Sequence, residues 1–333
     1  MKRLLATLVL ALSAAAAPAW GQKEKVTASW LPIMQTMAYY VALEEGLFEK
    51  AGIEVVSVKF QNPNQIIESL VSGQADFGPP GAAAGIAMLA ESRYPGTFKV
   101  FGLQGGGIKA GFINDGLIVK PDSPIKSFQD LKGKTAGTVP GIQWKTIFRH
   151  VLRQNGLDPD KDVRLTEIAV PLQVPSVVAG TVDATLSLEP VGSIAEASKE
   201  AKRAITNPVA MAIADPFYSG AAVLTTKFIR ERPEVAKKVV EILDQATRMA
   251  NENFDKYRAI IPKYTAIKPE QVQYVAQPYL RPWKDLNETD LNSYQAFVDV
   301  FYKEGVLKER MDVRTKILTA ADFGTKIGAA EPK

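Results

Sequence analysis

The chain has one histidine, His150, and no cysteine. Zinc sites draw on several imidazoles and thiolates, so no metal centre is expected. His150 falls inside a predicted helix that supplies no catalytic partner, and it reads as structural. The chain offers a repeated backbone device instead. Residues 69–78 read Ser-Leu-Val-Ser-Gly-Gln-Ala-Asp-Phe-Gly, and 107 residues later residues 176–185 read Ser-Val-Val-Ala-Gly-Thr-Val-Asp-Ala-Thr. Gly73 and Gly180 are placed to end a helix in the left-handed conformation, where a Cβ would clash. Asp76 and Asp183 are expected to tie their own turns through side chain–backbone bonds. The strand-like segments that follow run into Pro79-Pro80-Gly81 and into Glu189-Pro190-Val191-Gly192. Two helix–turn–strand units of this kind predict two similar α/β lobes. Ligands of open α/β sheets bind outside the carboxyl ends of the strands, so two such ends facing one another make a cleft.

The elements that must position these units fit a chain of 333 residues, which is long for one core and favours two domains. Lys2-Arg3, an apolar run over residues 4–12 and the small-x-small site Ala19-Trp20-Gly21 read as a cleaved secretory signal peptide. Cleavage after Gly21, with Ala19 as the competing site, starts the mature chain at Gln22. Removing Lys2 and Arg3 from 40 basic residues leaves 38 against 36 acidic ones, a net charge of +2. No Lys/Arg block suggests nucleic acid. Without cysteine there is no disulfide and no lipid-bearing residue after the leader. A monomer in an exported compartment, the periplasm, is expected.

Along the chain, strands are predicted at residues 26–31, 53–60, 75–78 and 98–103, with helices at 37–45, 62–71 and 81–90. Residues 117–119 cross into the second lobe, where strands are read at 135–138 and 163–168 and a helix at 144–155. The chain crosses back near residues 215–220, followed by a strand-like run at 221–225, and the remainder reads as helical. The two crossings should be short strands. These boundaries give residues 22–113 and 220–333 to lobe 1 and residues 114–219 to lobe 2.

Five motifs in this order resemble one known family. They are residues 42–55 (Ala-Leu-Glu-Glu-Gly-Leu-Phe-Glu-Lys-Ala-Gly-Ile-Glu-Val), Gly73–Gly78, Asp130-Leu131-Lys132-Gly133-Lys134, Gly180–Ala184 and Glu189-Pro190. The chain is similar in them to the periplasmic substrate-binding proteins of ABC importers, above all the sulfonate, nitrate and taurine binders and the thiamine-pyrimidine-precursor binders. The resemblance implies an α/β, type II-like architecture: two lobes, two crossing hinge strands and a helical C-terminal region. Such lobes close over a small-molecule ligand, and the closed form is read by a membrane permease.

The family places its site on the loops after the strands. Carried over, that gives Trp30, Gln35, Thr36 and Tyr39 in the first loop and Pro80, Gly81 and Ala82 in the second. Lobe 2 contributes Thr138, Gly141, Ile142, Gln143 and Trp144, then Glu189. Pro80-Gly81-Ala82 and Gly141-Ile142-Gln143 each precede a predicted helix, whose free N–H groups suit an anion. Gly81 and Gly141 would let the backbone approach closely. Trp30 and Trp144 either meet the ligand or pack on the core. Glu189 either holds an amino group, caps a helix or stays in solvent. Lys109 and Lys145 could neutralise an anion, although a solvated lysine is the ordinary case.

Helix starts favour an anion and the aromatics a flat or apolar body. The expected function is therefore capture of a small organic anion (sulfonate, nitrate, or aromatic or aliphatic carboxylate) and delivery to an ABC permease, with no cofactor and no catalysis. The alternatives are a binder of a thiamine-pyrimidine precursor or a pyrimidine-synthase-like enzyme, although the cysteine-rich motif of that synthase is absent. A sensor that binds the same ligand and docks elsewhere is the third class.

Overall fold

In a computed structural model, residues 23–324 are described; the expected leader lies outside them. The first half of the chain supplies β1 (Glu24–Trp30), β2 (Ile53–Lys59), β3 (Phe77–Ala83), β4 (Phe98–Gly106), β5 (Asp115–Val119) and β6 (Lys134–Thr138). The second supplies β7 (Val163–Glu167), β8 (Ala184–Leu188), β9 (Lys202–Thr206), β10 (Phe217–Thr225) and β11 (Tyr279–Pro282). They form two mixed sheets, ordered β11-β4-β10-β3-β1-β2 and β7-β6-β8-β5-β9. In each, a parallel trio is joined by an antiparallel strand, β10 or β5, that enters from the other lobe. No helix among the described residues is long and apolar enough to cross a membrane.

Lobe 1 carries helices α1 (Met37–Glu44), α2 (Leu47–Lys50), α3 (Pro63–Val71) and α4 (Ala84–Arg93). Lobe 2 carries α5 (Ile142–Gln154), α6 (Gln173–Ala179), α7 (Val191–Ser198) and α8 (Pro208–Ala212). The tail adds α9 (Thr226–Glu231), α10 (Pro233–Glu252), α11 (Phe254–Tyr257), α12 (Ile261–Tyr264) and α13 (Glu288–Lys303). Asn62 starts α3 with a reciprocal cap: its Oδ1 accepts from Asn64 N–H at 2.8 Å, and Gln65 Oε1 accepts from Asn62 N–H at 3.2 Å. The tail is not wholly helical, because β11 extends the first sheet along β4. Helix α10 packs on α1, and α13 packs on β10, α4 and α5.

The two repeated units are built alike. Gly73 and Gly180 both have φ +77°. Contrary to expectation, the carboxylates of the aspartates that follow them bond the neighbouring strand and not their own turns. Asp76 Oδ2 accepts from Thr27 N–H at 2.8 Å, and Asp183 Oδ2 accepts from Thr135 N–H at 2.9 Å. Each aspartate also donates its own N–H to the carbonyl of that same residue. The device therefore sets strand register within each lobe.

Two boundaries differ from expectation. Pro79, Pro80 and Gly81 lie inside β3 rather than in a loop, and α4 begins at Ala84. Proline cannot donate to a ladder, and the register of β10 against β3 shifts opposite them, between Ala221 and Val223, which absorbs both prolines. The crossings are also not strands along their whole length. The chain leaves β4 through a turn at residues 107–114 and returns through α8 and the loop after it to β10.

Candidate ligand-binding site

Three distant segments meet where the sheets face each other. Gln35, at the end of the β1–α1 connection, donates from Nε2 to Asn114 Oδ1 at 3.0 Å and to Ser219 Oγ at 2.8 Å. Asn114 ends the first crossing and Ser219 lies on β10 after the second. Asn114 Nδ2 donates to Asp115 Oδ2 at 2.9 Å, and Asp115 Oδ1 accepts from Val209 N–H at 3.1 Å. Asp115 is wholly buried with no cation among these partners, and burial pushes its carboxyl up to about 6. Beside this network a small cavity of about 20 Å³, partly open to solvent, is lined by Met34, Gln35, Gly105, Asn114, Leu188 and Glu189 among others. It takes residues from both lobes and from the crossing between them.

A second polar junction lies at the start of α4. Gly85 N–H, in the first turn of that helix, donates to Gln143 Oε1 at 2.8 Å. Gln143 belongs to α5 in lobe 2, and its Nε2 donates to Ser219 O at 2.9 Å. One carboxamide of α5 thus satisfies two buried backbone groups, one on α4 and one on β10, including a first-turn N–H that no helical carbonyl can reach. The Gly81 N–H is likewise taken by a carboxamide, donating to Gln104 Oε1 at 2.9 Å. Its φ of +103° and the 2.5 Å between a built Cβ and Thr36 Oγ1 show why only glycine fits.

The structure brings Gln35, Gly81 and Gln143 together, keeps Glu189 at the cavity beside Gln35, and commits most of the other candidates to bonds or packing within their own lobes. Trp30 Nε1 and Tyr39 Oη both donate to Ser57 Oγ, at 2.7 and 2.9 Å, within the lobe 1 aromatic cluster. Thr36 Oγ1 donates to Leu31 O at 2.9 Å. Pro80 and Ala82 are buried in β3. Thr138 is buried at the end of β6, and its Oγ1 has no hydrogen-bond partner. Gly141 N–H donates to Glu167 Oε2 at 3.1 Å, and Ile142 is exposed at the first position of α5. Glu189 Oε1 accepts from Arg203 at 2.6 Å, and Oε2 from Ser193 N–H in the first turn of α7. Burial pushes its carboxyl up, and the Arg203 guanidinium partly offsets that. The helix-start contact is thus present, alongside the ion pair with Arg203.

Of the two readings of Trp144, ligand contact or core packing, the structure shows the packing: the side chain is only 4% exposed and lies within the larger apolar cluster. Trp144, Ile147, Phe148 and Val151 have the i, i+3, i+4, i+7 spacing of a buried helix face, a signal present in the sequence. Sequence reasoning missed Gln104, Asn114 and Ser219. A buried carboxamide or hydroxyl beside each predicted crossing was the available clue.

The comparisons with known proteins agree with this architecture. Residues 20–262 match the NMT1-like family. A putative aliphatic sulfonates-binding protein of Bacillus subtilis is 26% identical over 320 residues, covering 93% of this chain and 92% of that protein. The periplasmic aliphatic sulphonate binding protein of Escherichia coli superposes with a TM-score of 0.70 at 18% identity, covering 90% of this chain and 99% of that one. A desulfurization enzyme superposes almost as well, with a TM-score of 0.68 at 16% identity, over 90% of this chain and 98% of that one. At these identities the structures share the fold alone, the two-lobed fold of periplasmic binding proteins, which hosts both binding and catalysis. The family match spans well over half of the sequence, so the chain belongs to the NMT1-like family.

Proposed function

We propose that this protein is an extracytoplasmic solute-binding protein that captures a small organic anion between its lobes and hands it to an ABC permease. The observation that carries the reading is the junction at α4. There, a first-turn N–H of lobe 1 takes an oxygen supplied from lobe 2, Gln143 Oε1, at 2.8 Å. A helix start holds such an oxygen through its N–H and its dipole, without a lysine or arginine. The oxygens of a sulfonate or carboxylate suit the same environment. The likeness to sulfonate-binding proteins supports the ligand class. The apolar wall formed by Met34 and Leu188 beside Gln35 and Asn114 supports an organic body on the anion.

On this reading the protein is exported, works as a monomer without a cofactor and catalyses nothing. Residues 22–113 with 220–333 form one moving body and residues 114–219 the other. A thermal-shift screen in sulfonate-free buffer tests it. Alkanesulfonates, taurine, nitrate, short and aromatic carboxylates and an aminopyrimidine should be compared, with calorimetry on each hit. A ligand at 100 times its Kd stabilises the native state by about 2.7 kcal/mol. Anions raising the melting temperature while the pyrimidine does not is the expected result. A response to the pyrimidine alone would overturn it.

A further inference from the structure

Helix α5 touches lobe 1 at a second place, two turns beyond Gln143. His150 and Arg153 lie on the same side of the helix, since positions seven and ten residues on return to one face. Opposite them is Glu304, which caps the C-terminal end of α13; its own N–H bonds Val300 O. His150 Nδ1 lies 3.1 Å from Glu304 Oε1, and Arg153 Nη1 pairs with Oε2. The Glu304 and His150 side chains are only 6% and 7% exposed. A carboxylate at the C-terminal end of a helix faces the negative end of the dipole, so Glu304 gains nothing from α13. Its compensation comes from lobe 2. The chain's only histidine, read from sequence as merely structural, thus sits in an interlobe contact.

We propose that the contact of His150 and Arg153 with Glu304 is a latch between the lobes that sets the open–closed equilibrium of the protein before any ligand binds. Opening withdraws α5 from α13 and returns all three groups to water, so the pairing favours the closed form alone. A ligand that binds only that form then gains affinity in proportion to how much of the protein is already closed.

The absence of cysteine allows the test to be made directly. Glu68→Cys on α3 and Lys161→Cys after α5, both exposed, carry spin labels whose separation reports the interlobe distance. In ligand-free protein, Glu304→Gln should raise the open-to-closed ratio about tenfold, the scale of one charge-assisted hydrogen bond. Arg153→Glu should do the same, and the charge swap Arg153→Glu with Glu304→Arg should restore most of the closed form. Circular dichroism checks that each variant folds. Should Glu304→Gln not fold, Arg153→Gln, altered on its more exposed side, replaces it. A distance distribution unchanged from the parent, or a swap as open as Arg153→Glu alone, would overturn the proposal. Since no ligand enters the measurement, its outcome is independent of whether the solute screen succeeds.

Discussion

Replacing Asp115 by asparagine removes a carboxyl that the fold buries completely at the start of the crossing into lobe 2. Its partners are the Asn114 amide and the Val209 N–H, both neutral, and the nearest like charge, Glu189, opposes ionisation further. The carboxyl rises from 3.8 to about 6, chiefly through desolvation. A shift of that size corresponds to roughly 3 kcal/mol between the protonated and ionised native states. The sign follows from proton counts. Between these two values the native state holds a proton that the unfolded chain has lost, so stability falls as pH rises. The stabilisation is complete below 3.8 and gone above about 6. Asparagine does not titrate, so Asp115→Asn should gain on the parent by roughly 2.5 kcal/mol between pH 4 and pH 7. Urea unfolding of both proteins across that range measures the difference. Parallel stability curves would show that Asp115 is hydrated or paired, and would refute the burial argument.

Trp144→Ala should cost about 3–5 kcal/mol of stability, as deletion of a buried aromatic does, and calorimetric melting would show it. A binding loss with an unchanged melting temperature would return Trp144 to the ligand. Gly81→Ala should destabilise by roughly 1–3 kcal/mol, because φ +103° is unfavourable for alanine and the new methyl meets Thr36 Oγ1. Denaturant titration decides this, and a neutral result would mean that β3 yields at its bulge. Arg203→Met should destabilise by about 3–5 kcal/mol, since it strands the buried Glu189 carboxylate. The loss should shrink in the double variant with Glu189→Gln; equal losses would show that the two side chains are uncoupled.

What was legible in the sequence was local. Gly73 and Gly180 declare helix ends because a left-handed residue needs no tertiary partner to favour glycine. The aspartates three residues on mark the next strand for a related reason, although their bonds reach a neighbouring strand and not their own turn. Proline misled where a tertiary contact intervened: alone, Pro79-Pro80-Gly81 signals a loop, and only the bulge against β10 keeps it in the sheet. The site was the least legible part. Gln35, Asn114 and Ser219 stand 79 and 184 residues apart along the hydrogen bonds that join them, and no periodicity links such positions. Trp144 is different, since its helical spacing to Ile147, Phe148 and Val151 already argued for the core.

Around the proposed cleft the nearby arginines are already paired, and carboxamides line the cavity. Arg203 is committed to Glu189 and Glu196, and Arg153 to Glu304, while Lys109 and Lys145 are exposed. An amide can donate or accept, so a site built from amides is selective only when each is held in one sense. Asp115 does this for Asn114: by accepting from Nδ2 it turns Oδ1 towards Gln35. Gln35 then uses Nε2 on both Asn114 and Ser219, which leaves its Oε1 over Gly220, where a Cβ would come within 2.6 Å. Two amides are thereby fixed by one buried carboxylate and one missing side chain. The cost of burying Asp115 near the hinge is thus connected to the orientation of the groups through which the cleft would recognise its solute.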